Sequence, residues 1–264
     1  MGKSKVISAK EAASLIKDGD TLGIQGIITA STPVDLMAAV RDRYLETQSP
    51  RGITVFHVSG IGDGKEGGMN MFAHDGLIGK LICGHIGTSP KLFPLIRANK
   101  FPTFVVPQGV LTQLARAIGA HRPGVVTSVG LKTFADPRVE GCRANKAAAQ
   151  LGEDGQVVEV LKIKDKDYLL YKSFPVNVCF IKATTADVDG NLSIEKEAVR
   201  LSSLELALAT KNSGGIVIAQ VERLTEAHTI KPHHVVVPGV LVDHIVIASE
   251  VGRRQYFAVP EFHP

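Results

Sequence analysis

Tryptophan is absent from the 264 residues, aromatic side chains make up 5%, and cysteine occurs three times. Cys83, Cys142 and Cys179 lie far apart and form no CxxC or Cys/His ligand spacing. Scattered thiols in odd number indicate a reduced, cytoplasmic protein. No stretch approaches ~18 consecutive apolar residues, and Met1 to Asp18 is polar and lysine-rich without a signal-peptide core; no membrane association is expected. Thirty Lys+Arg against 26 Asp+Glu give a net charge of +4, but no basic run and little aromatic interleaving accompany it. That distribution argues against a nucleic-acid binder and leaves an anionic, phosphate-bearing small molecule as a compatible ligand.

Metal and nucleophile motifs are missing too. His57, His74, His85 and His121 are dispersed, and the adjacent His233 and His234 cannot both face one ion on a strand. With no HExxH pattern, structural histidines and no metal are expected. No GxSxG elbow occurs, and Cys83, set in an apolar run, belongs to the core rather than to a thiolate site.

What is present is 44% hydrophobic residues arranged in two alternating periods. Short apolar runs at Thr21–Ile28, Ile53–Val58, Leu81–Cys83, Thr103–Val106, Val125–Val129, Val176–Lys182, Gly215–Val221 and Ile245–Ala248 predict buried strands. Between them, Pro33–Glu46, with Ser31 or Thr32 as N-cap, Ser89–Lys100, Val110–His121 and Val199–Lys211 predict helices. Strands separated by helices imply an α/β fold, an open, mostly parallel sheet with helices on both faces. Gln156–Lys164 and Tyr168–Lys172, joined by an Asp165-Lys166-Asp167 turn, predict a small antiparallel hairpin insertion over about 156–172. No repeat or long linker interrupts 1–264, so one domain is expected.

Gly60–Gly68 (GIGDGKEGG) is the densest glycine stretch and follows a predicted strand. Its backbone can approach an anion or a substrate closely, though a plain surface loop has the same composition. It lacks the GKS/T of a Walker loop and opens no clear helix, so a dinucleotide site is not supported. Pro107-Gln108-Gly109 ends one predicted strand and opens a helix, where ligands bind in open α/β sheets; an ordinary turn has the same signature. Asp187-Val188-Asp189-Gly190-Asn191 is first a turn sequence, and Glu195 and Glu197 alternate as on a strand.

The run Gly84–Gly141, together with Gly60–Gly68, Thr184–Ala198 (TTADVDGNLSIEKEA), Lys211–Leu224 (KNSGGIVIAQVERL) and Val237–Val246 (VPGVLVDHIV), resembles the α-type, N-terminal half of the family I coenzyme A-transferases. The similarity points to the fused short-chain acyl-CoA:acetate or propionate branch. It implies a sugar-phosphate-isomerase-like α/β fold and transfer of CoA between short-chain carboxylic acids. A glutamate of the β-type half carries the CoA as a covalent glutamyl thioester, so two acyl exchanges replace one direct transfer. No Glu-Asn-Gly occurs here, and the chain closes on Val259-Pro260-Glu261-Phe262-His263-Pro264, near the linker position of fused relatives. The resemblance therefore implies no catalytic residue in this chain, a β-type partner subunit or domain in a hetero-oligomer, and coenzyme A as substrate, with no resident cofactor.

The same resemblance places Gln108 as the positioning amide for the substrate carboxylate or thioester oxygen. Gly26, Gly62, Gly64, Gly109 and Gly130 are implied to shape the acyl-CoA and carboxylate pocket, Gly130 by leaving room for the acyl group. Two departures stand out. Gln25 puts a long polar side chain where the family has glycine and backbone amides meet the thioester. Lys132 replaces a small residue and either meets an anionic substrate or is merely exposed. The altered loop from Gln25 to Ser31 keeps a CoA-thioester or C–C hydrolase subunit on the same scaffold open as an alternative, and a non-catalytic subunit that binds acyl-CoA or a sugar phosphate is a third reading.

Overall fold

Apolar runs bounded by glycine, proline or Asx turns become strands, and longer amphipathic runs become helices, across residues 4–253, the part described by the computed structural model. In chain order these are α1 (Ala9–Ser14), β1 (Thr21–Ile24), α2 (Val34–Thr47), β2 (Ile53–His57), β3 (Ile78–Cys83), α3 (Phe93–Arg97), β4 (Thr103–Val105), α4 (Gln108–Gly119) and β5 (Gly124–Thr127). They continue with α5 (Lys146–Ala149), β6 (Val158–Ile163), β7 (Lys166–Lys172), β8 (Val178–Asp187), β9 (Leu192–Ser193), α6 (Ser203–Asn212), β10 (Ile216–Thr225) and β11 (His244–Ile247). The Val259–Pro264 run lies outside the described residues.

The main sheet has the order β11-β10-β8-β1-β2-β3-β4, every pair parallel, with β9 added antiparallel to β8. From β1 the chain builds outward to β4, then returns to β1's other side at β8. The order thus reverses between β1 and β8, and a crevice at the carboxyl ends of these two strands is where such sheets take ligands. Alternate side chains feed two cores. Phe56, Ile82, Phe104 and Ile181 pack with Leu111 and Leu114 of α4 and Leu206 of α6. Leu22, Val55, Leu81 and Phe180 pack on the opposite face with Ile16, Leu36 and Val40. All of these side chains are buried, as expected for parallel strands covered on both faces.

Several expectations change in detail. Val125–Val129 does not join the parallel sheet: Gly124–Thr127 pairs antiparallel with β7, which also pairs with β6. The expected hairpin is therefore two strands of a three-stranded antiparallel sheet, whose Tyr171 and Leu169 close one core. Its reversal falls at Lys164, at φ +54°, and Lys166 and Asp167 already belong to β7. The Ser89–Lys100 helix reduces to a 3-10 turn, Pro90–Leu92, and the short α3. Helix α6 starts four residues later than expected because Leu201 and Ser202 have left-handed φ of +37° and +55°.

The N-terminus of α2 is satisfied from an unexpected direction. Its cap residue is Pro33, while Ser31 Oγ donates to Val199 O at 3.0 Å and Thr32 Oγ1 to Ala30 O. The orphan amides of Asp35 and Leu36 donate to Oε1 of Gln220, at 3.0 and 3.2 Å. Gln220 is a fully buried side chain of β10, so a sheet residue supplies the capping acceptor that a helix start requires.

Candidate functional site

Four loops meet at the carboxyl edge of the sheet, after β1, β2, β3 and β4. The first begins where β1 stops. The backbone N–H of Gln25 still bonds Phe180 O at 3.0 Å, and in a regular parallel ladder the next donor, Lys182 N, would find Gln25's own carbonyl. Here Lys182 N donates to the side-chain Oε1 of Gln25 at 2.9 Å, and Gln25 Nε2 donates to Arg200 O at 3.2 Å. The side chain prolongs the ladder while the main chain peels away through Gly26 at φ +150°. Gln25 is 2% exposed, with both polar ends of its side chain engaged by main-chain groups.

Gly26 is where glycine is required: an added Cβ would lie 2.5 Å from Thr32 Oγ1. The second loop, residues 58–68, is stitched to the first by Ile28 N to Gly60 O at 2.6 Å and Gly62 N to Ile28 O at 2.7 Å. Its amides already have acceptors within the protein. Gly64 N donates to Thr88 O at 3.0 Å, and the N–H groups of Lys65 and Gly67 donate to Asp63 Oδ1. Gly62 serves close packing, since a Cβ there would lie 2.3 Å from Thr88 O, whereas around a Cβ on Gly64, at φ +75°, the space is open. The observed role of the glycines is to let loops touch, and these particular amides are not free donors for an anion.

Gln108 opens α4 directly after β4 and Pro107, and it is exposed. Ser59 Oγ lies 3.5 Å from Gln108 Oε1, at the outer reach of a hydrogen bond. Gly84 Cα faces Val58 O and the Gln108 Cβ, with no room for a side chain. With Oε1 turned toward Ser59, the amide nitrogen is the end left to donate outward. A Cβ on Gly109 would meet nothing within 4 Å, so the start of α4 is open. Gln108, Gly109, Ser59, Gly84 and the two stitched loops that carry Gly26 and Gly62 thus share one edge. Gly130 does not join this group: at φ +99° it packs against Tyr171 Oη, Ala135 and Leu169. Lys132 is exposed, its amide held by Asp136 Oδ2 at 2.9 Å.

The titratable groups beneath this edge are quiet. His57 is buried, and burial pushes its imidazole down to about 4, so it is neutral at pH 7 with Nδ1–H donated to Ser59 O. Burial pushes the Cys83 thiol up to about 12, which removes it as a nucleophile. Among the described residues no group of three or more His, Cys, Asp or Glu is placed to hold a metal ion, and no helix is long and apolar enough to cross a membrane. Glu195 accepts from Thr185 and Ser193 and pairs with Arg223 at 2.7 Å, while Glu197 is buried near Lys182. Sequence reasoning missed Ser59 and the segment 199–202, which closes over Gln25 and Gly26 in a crevice also lined by Phe56, His57 and Val58. Neither has a local signature, unlike the glycine-rich loop and the helix-opening Pro-Gln-Gly.

The family model for Coenzyme A transferase matches residues 6–248. The caffeate CoA-transferase of Acetobacterium woodii is 42% identical over 247 residues, which is 94% of this chain and 46% of that protein. The α subunit of the acetate CoA-transferase of Escherichia coli K12 is 27% identical over 253 residues, 94% of this chain and 99% of that polypeptide. The solved acyl-CoA transferase YdiF of E. coli O157:H7, as a thioester complex with CoA, superposes with a TM-score of 0.90 at 36% identity, over 97% of this chain and 48% of that chain. The chain spans about half the length of the longer relatives and nearly all of the shorter one. With residues 6–248 matched by the family model and the fold shared over 97% of the chain, the chain belongs to the coenzyme A transferase family, in the place of the α-type half.

Proposed function

We propose that residues 1–264 form one positioning domain of an acyl-CoA:carboxylate CoA-transferase that works in the cytoplasm with a β-type subunit or domain. Its substrates are an acyl-CoA and a short-chain carboxylate, with coenzyme A taken as substrate rather than as a resident group. The partner supplies the glutamate that accepts CoA as a thioester. This chain supplies the neutral donor beside it.

The observation that carries the reading is Gln108: exposed at the carboxyl end of β4, with Oε1 facing Ser59. A neutral amide N–H aimed at a carbonyl oxygen that gains negative charge stabilises the transition state more than the ground state, typically by ~3 kcal/mol. Being uncharged, it serves both the incoming thioester and the departing carboxylate. A hydrolase reading rested on an altered loop pocket at Gln25; with that side chain turned inward, no feature of the site favours it.

The test is borohydride trapping and mass spectrometry on this chain assembled with its β-type partner and acetyl-CoA. A reduced glutamate on the partner supports transfer. A clean complex that binds acetyl-CoA without a trapped adduct overturns it.

A further inference from the structure

Ser8-Ala9-Lys10-Glu11 and Ser202-Ser203-Leu204-Glu205 carry the same helix-start signature, a serine followed three residues later by a glutamate. At α1 the capping box is complete. Ser8 is extended, its Oγ accepts from Glu11 N at 3.1 Å, and Glu11 Oε2 accepts from Ser8 N at 2.8 Å. At α6 the same residue types occupy the same positions and the box is not made. Ser202 is the cap residue, but it sits at φ +55° and its side chain forms no capping bond. Leu201 before it is at φ +37°. Two successive non-glycine residues in the left-handed region run against the steric preference of L-residues. The neighbouring Ser203 Oγ is buried without a hydrogen-bond partner among the described residues. Glu205 remains able to serve, because both bonds it accepts from Arg116 of α4 fall on Oε1.

The loop after β1 holds α6 away from its own cap. Ser31 Oγ donates to Val199 O at 3.0 Å, and Gln25 Nε2 donates to Arg200 O at 3.2 Å. Upstream, Glu197 is buried beside Lys182 and anchors the start of the segment. Residues 199–202 are thereby drawn like a strap across the carboxyl ends of β1 and β2. Under the strap lies a crevice of about 10 Å³, room for no more than one water. Ile24, Phe56 and Val58 form its floor, and Leu201 and Leu206 its roof. It lies beside the reversal of strand order, where parallel sheets open to ligands. Val58 also precedes Ser59, the residue that faces Gln108, so the strap seals a space adjoining the candidate site.

We propose that residues 199–202 form a two-state strap. In the closed state, the observed one, the bonds from Gln25 and Ser31 hold Leu201 and Ser202 in left-handed conformations. In the open state those two bonds break, Leu201 and Ser202 relax to negative φ, and Ser202 with Glu205 completes the capping box. The exchange is near balance: two side-chain hydrogen bonds to carbonyls are set against one helix cap and the relief of two unfavourable residues. Opening lifts Leu201 off the crevice and joins that space to the edge that carries Gln108. The strap is independent of the chemistry performed at that edge.

Position 202 offers substitutions of opposite sign. Ser202→Gly accepts the left-handed conformation freely and deletes the cap hydroxyl, so it favours the closed state on both counts. Ser202→Thr keeps the hydroxyl and burdens the left-handed conformation with a β-branched side chain, so it favours the open state. The test is hydrogen–deuterium exchange of the full chain, read over residues 199–206. In the parent this segment is expected to exchange faster than global unfolding allows. Exchange should slow about 10-fold in Ser202→Gly and quicken about 10-fold in Ser202→Thr, the worth of one cap or one relieved residue. The gain from Ser202→Thr should shrink several-fold in a Glu205→Ala background, where the box lacks its second member. Uncovering of the crevice is read with Val58→Cys in each background, labelled by N-ethylmaleimide; Cys83, Cys142 and Cys179 are buried. Its labelling rate should follow the same order. Exchange that tracks global unfolding in all three chains, or shifts in one direction in both variants, overturns the strap. A gain undiminished by Glu205→Ala, or Val58→Cys labelling indifferent to residue 202, does the same.

Discussion

Replacing Gln25 with methionine keeps the length and volume of the side chain and deletes both of its polar ends. The structure gives those ends two partners, Lys182 N at 2.9 Å and Arg200 O at 3.2 Å. Lys182 N then has no acceptor at a residue only 2% exposed, and an orphaned buried amide or carbonyl costs about 1–3 kcal/mol. With the Lys182 amide fully and the Arg200 carbonyl partly desolvated, Gln25→Met is expected to destabilise by about 3 kcal/mol. For a domain of this size that is a fall in Tm of roughly 6–12 °C. Gln25→Glu is the control: it keeps the acceptor for Lys182, loses the donor to Arg200 and buries a carboxylate, so it should be no more stable than the methionine variant. Urea unfolding of both variants, followed alongside turnover in the assembled enzyme, decides the matter. A methionine variant within about 1 kcal/mol of the parent, combined with lost turnover, would show that Gln25 reaches substrate and that the inward assignment is wrong.

Gln108→Ala should lower kcat about 100-fold with little change in KM, and unchanged kinetics would remove Gln108 from the site. Gly62→Ala should destabilise by about 2 kcal/mol or more, because its Cβ would meet the Thr88 carbonyl at 2.3 Å. Gly64→Ala, strained at φ +75° but in open space, should cost about 1 kcal/mol, and a reversed ranking in chemical denaturation would refute the packing argument. His57 sets a pH dependence: its folded pKa of about 4 lies below the unfolded value of ~6.5, so only the unfolded chain takes a proton between them. Stability should therefore be unaffected by His57 above pH 6.5 and fall by about 3 kcal/mol as pH drops toward 4. His57→Leu should flatten that limb, and an unchanged slope counts against a buried neutral imidazole.

The parallel sheet was legible because its strands are apolar on both faces and each is punctuated by a turn. Val125–Val129 carries the same apolar signal, yet pairs with the hairpin; which sheet a strand joins is decided by partners distant in sequence. The ends of β1 and α2 were illegible for a related reason. At both places a glutamine side chain, Gln25 or Gln220, stands in for a backbone or capping group, and no local rule marks a buried glutamine as such a substitute. In the candidate site, the place of Gln108 at a strand end and helix start was legible. The glycine-rich loop was found too, but not that its Gly62, Gly64 and Gly67 amides already donate within the protein.

The parallel ladder between β1 and β8 joins segments separated by 156 residues, as the Thr21–Asn177 bond measures. One edge of β1 thus has no strand to pair with until well over half the chain has been made, while β2, β3 and β4 can already assemble on the other. During synthesis the intermediate is a four-stranded half-sheet whose β1 edge awaits β8 and whose Phe56–Ile82 face, with α4 already present, still lacks α6. Non-local pairing of this kind folds slowly and exposes aggregation-prone surface meanwhile. A stop codon placed between β4 and β8 is therefore expected to yield insoluble protein, and yield in recombinant expression should follow the rate at which residues 178–187 reach β1 rather than the stability of the finished fold.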